Sequence, residues 1–125
     1  MTPVLATRIG ARLIAAVQVI LGVLFWTGHA DSLVPVHIAV GLLLVVDLWA
    51  STALGLRAGA PVGLVALALV WSIAMPLFGL AQTNLLPGAG HLIIQVLHLV
   101  VGLAAVGLVE ALAARSSRRR VTAQT

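Results

Sequence analysis

The sequence predicts an all-α protein of four membrane-spanning helices, packed as an up-down-up-down bundle with both termini in the cytoplasm. Three observations predict this class: the composition is too apolar for a water-soluble surface, the apolar residues form four runs, and arginines occur only at alternate ends of those runs. Of the 125 residues, 62% are hydrophobic and 8% are charged. A soluble domain carries about 25% charged residues, so the chain is expected to contact a lipid bilayer along most of its length.

Each apolar run is long enough to cross a bilayer, which takes about 20 residues in a helix. Glycine and proline lie between the runs, where they favour helix ends. We place the four spans at about residues 13–29, 34–56, 61–81 and 90–114. A basic cytoplasmic tail follows over residues 115–125. As an alternative, the first run could be the apolar core of a signal peptide cleaved near Gly28, which would leave three spans.

The distribution of basic residues predicts the orientation. All seven arginines precede the first run, separate the second from the third, or follow the fourth. With four spans these positions share one side, which the positive-inside bias makes cytoplasmic. We therefore predict a multi-pass protein of a bacterial-type inner (plasma) membrane. The net positive charge reflects these topological arginines, so nucleic acid is not an expected partner. Cysteine is absent, which excludes disulfides, thiolate metal sites and iron–sulfur clusters.

Two histidines seven residues apart interrupt the fourth run. His91, Gln95 and His98 are spaced at i, i+4 and i+7, so a helix would carry them on one face. Ionisable side chains inside a membrane are unfavourable unless they meet a partner. The stripe is therefore expected to face protein, a cofactor or a water-filled cavity.

The second span carries a histidine that could meet this stripe. His37 lies 20 residues before Arg57, and His98 lies 17 before Arg115. At about 1.5 Å per residue these histidines lie roughly 30 and 25 Å from the cytoplasmic boundary. Spans 2 and 4 are diagonal in an up-down-up-down bundle. We therefore predict that His37 and His98 bind one haem b iron in the bundle core, although His91 could also oppose His37.

A weak internal repeat relates the two halves of the chain. Residues 20–25, which end in Phe25, can be aligned with residues 73–78, which end in Phe78. Residues 37–41 match residues 98–102, each beginning with histidine and ending with glycine. The two alignments need different offsets, so an insertion in the second half has to be assumed.

One histidine in helix 2 and one in helix 4, with the helix-4 segment 95–102, resemble one four-helix half of the haem A synthase family. The resemblance implies a haem-binding bundle that faces the outer leaflet. Leu33 and Ile94 stand where that family carries the glutamate of a Glu-x-x-x-His pattern, and no arginine follows either histidine. We therefore predict a b-type cytochrome, which would be an oxidoreductase-type haem protein if it is an enzyme.

Several further residues are candidates for the same site. Gly41 and Gly102 lie one turn beyond His37 and His98, where the missing side chain would let a flat ring approach the backbone. His91 is expected to contact haem propionates or a quinol head group, and Gln95 to donate a hydrogen bond nearby. The predicted role is electron transfer between a membrane quinone and a partner on the outer side, alone or within a larger membrane complex or homo-oligomer.

The alternative function is a small transport or assembly protein whose histidines bind a metal ion or relay protons. Asp47, in the inner half of span 2, is the proton-handling candidate, because a buried carboxylate needs a partner or a proton. It could instead be a neutral acid hydrogen-bonded to Gln18 or Ser72. Glu110 is expected to pair with the arginines of the tail.

Overall fold

The computed structural model describes residues 1–122, with side chains described through Ser116. Four long helices follow one another along the chain: α1 Pro3–Trp26, α2 Val34–Arg57, α3 Val62–Ala81 and α4 His91–Thr122. Short 3-10 turns occupy the first and third connections, at Asp31–Leu33, Gln82–Asn84 and Gly88–Gly90. The described part of the chain contains no strand. The predicted all-α class is therefore confirmed.

All four helices are long and apolar enough to cross a membrane. The candidate spans are Pro3–Trp26, Asp31–Arg57, Val62–Asn84 and Gly88–Ser116. Large apolar side chains point outward from every helix; Leu13, Leu43, Val70 and Ile93 are each more than half exposed. Contiguous apolar surface on this scale marks contact with lipid or another protein. The helices therefore suggest a multi-pass membrane protein.

Two helices are longer than the sequence predicted. α1 begins at Pro3 rather than near residue 13, because Thr2 caps it by accepting a hydrogen bond from the Leu5 amide and proline suits the first turn. α4 continues past Ala114 to Thr122, since no glycine or proline ends it there. The predicted basic tail therefore begins within α4, and its side chains from Ser117 onward lie outside the described residues.

α2 and α4 form the centre of the bundle. They contact each other directly, and α1 and α3 each contact both of them. At Gly55 an added Cβ would lie 2.7 Å from the Cδ2 atom of Leu112, so the two central helices approach closely where glycine leaves room. The core is made of aliphatic side chains, among them Leu48, Val109 and Leu112, which are fully buried.

Two tryptophans attach α3 to the central pair. The Trp49 Nε1 atom donates to the Ser72 Oγ at 2.8 Å, and the Trp71 Nε1 atom donates to the Val101 carbonyl at 3.0 Å. Each bond satisfies an indole N–H that is partly removed from water. α3 is therefore fixed to α2 by one bond and to α4 by the other.

Ion pairs link α1 to α4 at one end of the bundle. Glu110 accepts from Arg8 at 2.8 Å and from Arg12 at 2.7 Å. Among the described residues, the partners of Glu110 are arginines of α1, because α1 extends far enough to bring them beside α4. The start of α1 and the second half of α4 therefore lie side by side in the molecule. The expected pairing with Arg118, Arg119 and Arg120 of the tail lies outside the described side chains.

Replacing Glu110 with glutamine is expected to lower the free energy of unfolding by up to about 1 kcal/mol, because partly exposed ion pairs contribute that much. Salt screens such pairs, so the difference from wild type should shrink at high ionic strength. Thermal unfolding in detergent at low and high salt measures both effects, with Asp31→Asn in an exposed turn as the matched charge control. A deficit that is equally large at high salt would show that the pairs do not act through charge.

Candidate functional site

His37 of α2 and His98 of α4 face each other inside the bundle. Their ring centroids are 6.0 Å apart, with the ring planes tilted by 47°. Both residues are partly buried. Among the two candidates on α4, His98 is therefore the one that meets His37, in agreement with the depth estimate from the sequence.

Two phenylalanines and a glutamine complete the surroundings of this pair. The Phe25 ring of α1 meets His37 edge-on at 5.3 Å, and the Phe78 ring of α3 lies 6.0 Å from His98. The Gln18 Nε2 atom donates to the His37 carbonyl at 3.0 Å. All four helices thus contribute to one cluster, which we call the histidine site: Gln18, Phe25, His37, Phe78, Gly79 and His98.

The histidine site contains polar atoms without partners in the described part of the chain. The Nδ1 atoms of His37 and His98 are buried there and make no hydrogen bond, and neither does the Oε1 atom of Gln18. Buried polar atoms are normally hydrogen-bonded, and an exception calls for an explanation such as a bound group. Three such atoms from three helices in one cluster indicate a site that can bind a ligand.

The separation of the two imidazoles can be compared with that of two rings that share one metal ion. Two rings that bind one ion from opposite sides, with metal–nitrogen distances of about 2.0–2.1 Å, have centres roughly 6 Å apart. The observed 6.0 Å agrees with that value. Within the described residues no group of three or more histidine, cysteine, aspartate or glutamate side chains could hold a metal ion. The described residues therefore bring two imidazoles together without a third side chain of these four types.

The glycine that packs against His98 is Gly79 of α3, whereas the sequence analysis had named Gly102 of α4. An added Cβ at Gly79 would lie 3.1 Å from the His98 Cε1 atom, so this glycine lets the ring lie against α3. At Gly41 the Cβ would lie 2.8 Å from the Gln18 Nε2 atom, which leaves space for the bond to the His37 carbonyl. Nothing lies within 4 Å of the corresponding position at Gly102.

The Gly79→Ala variant is expected to have a free energy of unfolding about 1 kcal/mol lower than that of the Gly102→Ala variant. Both variants gain the same helix propensity, so their difference isolates the contact with His98, and overpacking a tight site costs about 1–3 kcal/mol. Unfolding of the two purified variants in the same detergent measures it. Equal free energies of unfolding would show that the position of the His98 ring does not require the space left by Gly79.

The other predicted site residues lie outside this cluster. The His91 Nδ1 atom lies 3.1 Å from the Leu85 carbonyl, which attaches the start of α4 to the preceding turn. Gln95 is partly buried on the same helix, and His29 is exposed in the connection after α1. His91 and Gln95 remain candidates for contacts beside the histidine site.

Asp47 occupies a separate position in the half of the bundle that carries the arginines. Its Oδ2 atom is buried without a hydrogen bond, and a Cβ at Gly10 would lie 3.3 Å from its Oδ1 atom. Gln18 and Ser72, its suggested partners, instead bond to the His37 carbonyl and to Trp49. Asp47 therefore lies beside Gly10 of α1 but has no hydrogen bond to Gln18 or Ser72.

Sequence reasoning singled out both histidines but did not assign Gln18, Phe25, Phe78 or Gly79 to the site. The internal repeat contained part of this information. It aligned Phe25 with Phe78 and His37 with His98, and in the structure each phenylalanine contacts the histidine of its own half. Gln18 and Gly79 had no such pattern, because their roles depend on contacts between helices that are distant in sequence.

Fold and site together define a small four-helix protein of membrane-spanning character with a pair of imidazoles buried between its two central helices. The chain matches no protein-family model, and no curated protein or solved structure is similar to it. The resemblance to haem A synthase therefore rests only on the residues of spans 2 and 4. The chemistry of the histidine site has to be argued from its own geometry.

Proposed function

We propose that the protein is a membrane-embedded b-type haem protein in which His37 and His98 would hold the haem. The observation that carries this proposal is the pair of imidazoles held 6.0 Å apart by α2 and α4, with both Nδ1 atoms lacking a partner. Haem iron is held by axial protein ligands, and histidine is among the commonest. In helix bundles, cofactors are bound in the core by side chains of facing helices.

The number of ligands favours haem over a bare metal ion. A zinc ion bound by protein takes four ligands, or three and a water. The described residues offer two imidazoles without a third ligand from histidine, cysteine, aspartate or glutamate. A haem needs only two, because the macrocycle supplies the other four nitrogens. The alternative of a transport or assembly protein that binds a metal ion through its histidines is therefore less well supported.

The chain's own residues would position the ligands and exclude water. Phe25 and Phe78 contact the two imidazoles with apolar rings. The bond from Gln18 to the His37 carbonyl holds α1 against α2 beside the ligand. A haem with two imidazole ligands exchanges single electrons, at a potential set by its ligands, burial and hydrogen bonds. The proposed role is electron transfer with a quinone or with a partner on the outer side.

The proposed orientation places both termini in the cytoplasm of a bacterial-type inner membrane. The arginines of α1 pair with Glu110 near the far end of α4, so basic residues gather at one end. Positive charge marks the cytoplasmic side, and the histidine site lies toward the other end. His91 and Gln95 would then lie near the outer surface, where a quinol head group or haem propionates could reach them. A larger complex or homo-oligomer remains part of this proposal.

Titration of the purified protein with haem tests the proposal. We expect saturation at about one haem per chain, with a Soret band and, after reduction, a sharp α band. The matched sample is the double variant His37→Ala/His98→Ala, whose absorbance should match haem in detergent alone. A wild-type protein that stays colourless after expression with ample haem would refute the proposal, and metal analysis of the same preparation would then test the alternative.

A further inference from the structure

Away from the histidine site, the bundle contains a second group of buried polar atoms without partners. The Oδ2 atom of Asp47 and the Oγ atom of Ser51 are both buried and make no hydrogen bond within the described residues. Ser51 is only 3% exposed. The two residues are four apart on α2, so they share one face of the helix. Two buried polar groups without partners, one turn apart on the same face, call for an explanation.

Helix α1 supplies the opposite wall of this group. Gly10 packs against Asp47, and Gln18 bonds to the His37 carbonyl, so α1 and α2 run in opposite directions. In this register Thr7 lies three residues before Gly10 and Ser51 four residues after Asp47, so both are displaced toward the same end of the bundle. Thr7 is buried and donates its hydroxyl proton to the Val4 carbonyl, so its oxygen can still accept. This stretch of α1 and α2 thus carries one carboxyl and two hydroxyl groups in an apolar bundle.

Asp47 forms no ion pair with a cation in the part of the chain whose side chains the structure describes. Arg8 and Arg12 each lie two residues from Gly10, roughly 200° around the helix axis and hence on the opposite face of α1. Both of them are bound to Glu110. α3 carries no charged residue. The remaining charged or titratable groups, on α2 itself and on the elements packed against it, are at other levels: Asp31, His37, Arg57, His91, His98 and Arg115.

We propose that Asp47 and Ser51 form a proton-binding site, in which Asp47 is a neutral acid that exchanges its proton with the arginine-bearing side. An unpaired carboxylate buried in an apolar medium is so unfavourable that such groups neutralise. A protonated carboxyl group donates to an acceptor, and the Ser51 hydroxyl is one turn away. This proposal does not depend on haem binding.

The polar side chains indicate the direction of exchange. Ser51 lies one turn beyond Asp47 toward the end of α2, and Thr7 lies one turn before Gly10 toward the start of α1, so both are on the side of Asp47 nearer that end of the bundle. In the other direction, the nine residues between His37 and Asp47 on α2 are all apolar or glycine. Along the described part of α2, a proton at Asp47 therefore has a neighbouring hydroxyl group on the Arg57 side and none toward His37.

Labelling with dicyclohexylcarbodiimide tests this site, because the apolar reagent reacts with protonated carboxyl groups in apolar surroundings. The chain has three acidic side chains, so Asp31 and Glu110 serve as internal controls. Mass spectrometry of the full-length protein in proteoliposomes should find Asp47 labelled at least ten-fold more than either. Labelling should fall about ten-fold per pH unit once the acid ionises, and Asp47→Asn, which is nearly isosteric, should abolish it.

Three results would overturn the proposal. The first is labelling of Asp47 that does not exceed that of Asp31 and Glu110 at any pH between 5 and 9. The second is protection of Asp47 by sodium at constant pH and ionic strength, which would make the pocket a cation site. The third is labelling in oriented proteoliposomes that follows the pH on the side without arginines. A thermal unfolding curve of Asp47→Asn close to wild type would show that the lost label is not a folding defect.

Discussion

Replacement of either His37 or His98 with alanine is expected to abolish the reduced α band and to reduce haem retention at least ten-fold. Each substitution removes one of the two proposed ligands, and the described residues offer no third histidine, cysteine, aspartate or glutamate beside them. Only one imidazole would then remain to hold the haem. Absorption spectra of protein expressed with excess haem, normalised to protein concentration, measure both effects.

The remaining histidines provide matched controls for this experiment. His29 is exposed in the connection after α1, and His91 lies against the Leu85 carbonyl rather than against His37. His29→Ala and His91→Ala should therefore keep a six-coordinate spectrum, and His91→Ala should change at most its position. If the α band were lost in His91→Ala but kept in His98→Ala, the second ligand would be His91, and the assignment of His98 would be wrong.

Replacement of Leu48 with alanine is expected to have the largest effect on stability. Leu48 is fully buried in α2 among the side chains that pack α2 against α4. Removing such a side chain costs about 2–5 kcal/mol, because the contacts are lost and a cavity remains. Unfolding in mixed micelles, followed by circular dichroism, measures the loss.

Leu43→Ala in the same helix is the control, since this residue is 56% exposed on the outer face. Its substitution should cost well under half as much as Leu48→Ala, because lipid or detergent fills the space. Similar losses for the two variants would contradict the packing of α2 at the centre of the bundle. A larger loss for Leu43→Ala would indicate that its face is covered by protein in the micelle.

Most of the architecture could be predicted from composition and spacing. The apolar runs indicate four helices, and glycine and proline indicate where α2 and α3 end. The start of α1 was missed because Arg8 and Arg12 made residues 1–12 resemble a polar segment. Their charges are accommodated by Glu110, which lies about 100 residues away in sequence. Such long-range pairing cannot be seen in a local hydropathy pattern.

The candidate site was predictable only where a residue type is rare. Histidine in a membrane span is conspicuous, so His37 and His98 could be singled out and compared by depth. Glycine is common in membrane helices, which is why Gly102 and Gly79 could not be ranked before the helices were packed. The same holds for Gln18, whose bond to the His37 carbonyl depends on the register of α1 against α2.

Carbon monoxide binding to the reduced, haem-loaded protein tests most directly whether His37 and His98 share one iron. If both imidazoles are bound, no coordination position is free, and the wild-type spectrum should not change when the gas is added. His98→Ala that retains any haem should then show a shifted Soret band. A wild-type protein whose Soret band shifts fully with carbon monoxide would show that at most one histidine holds the iron, which would contradict the proposed centre.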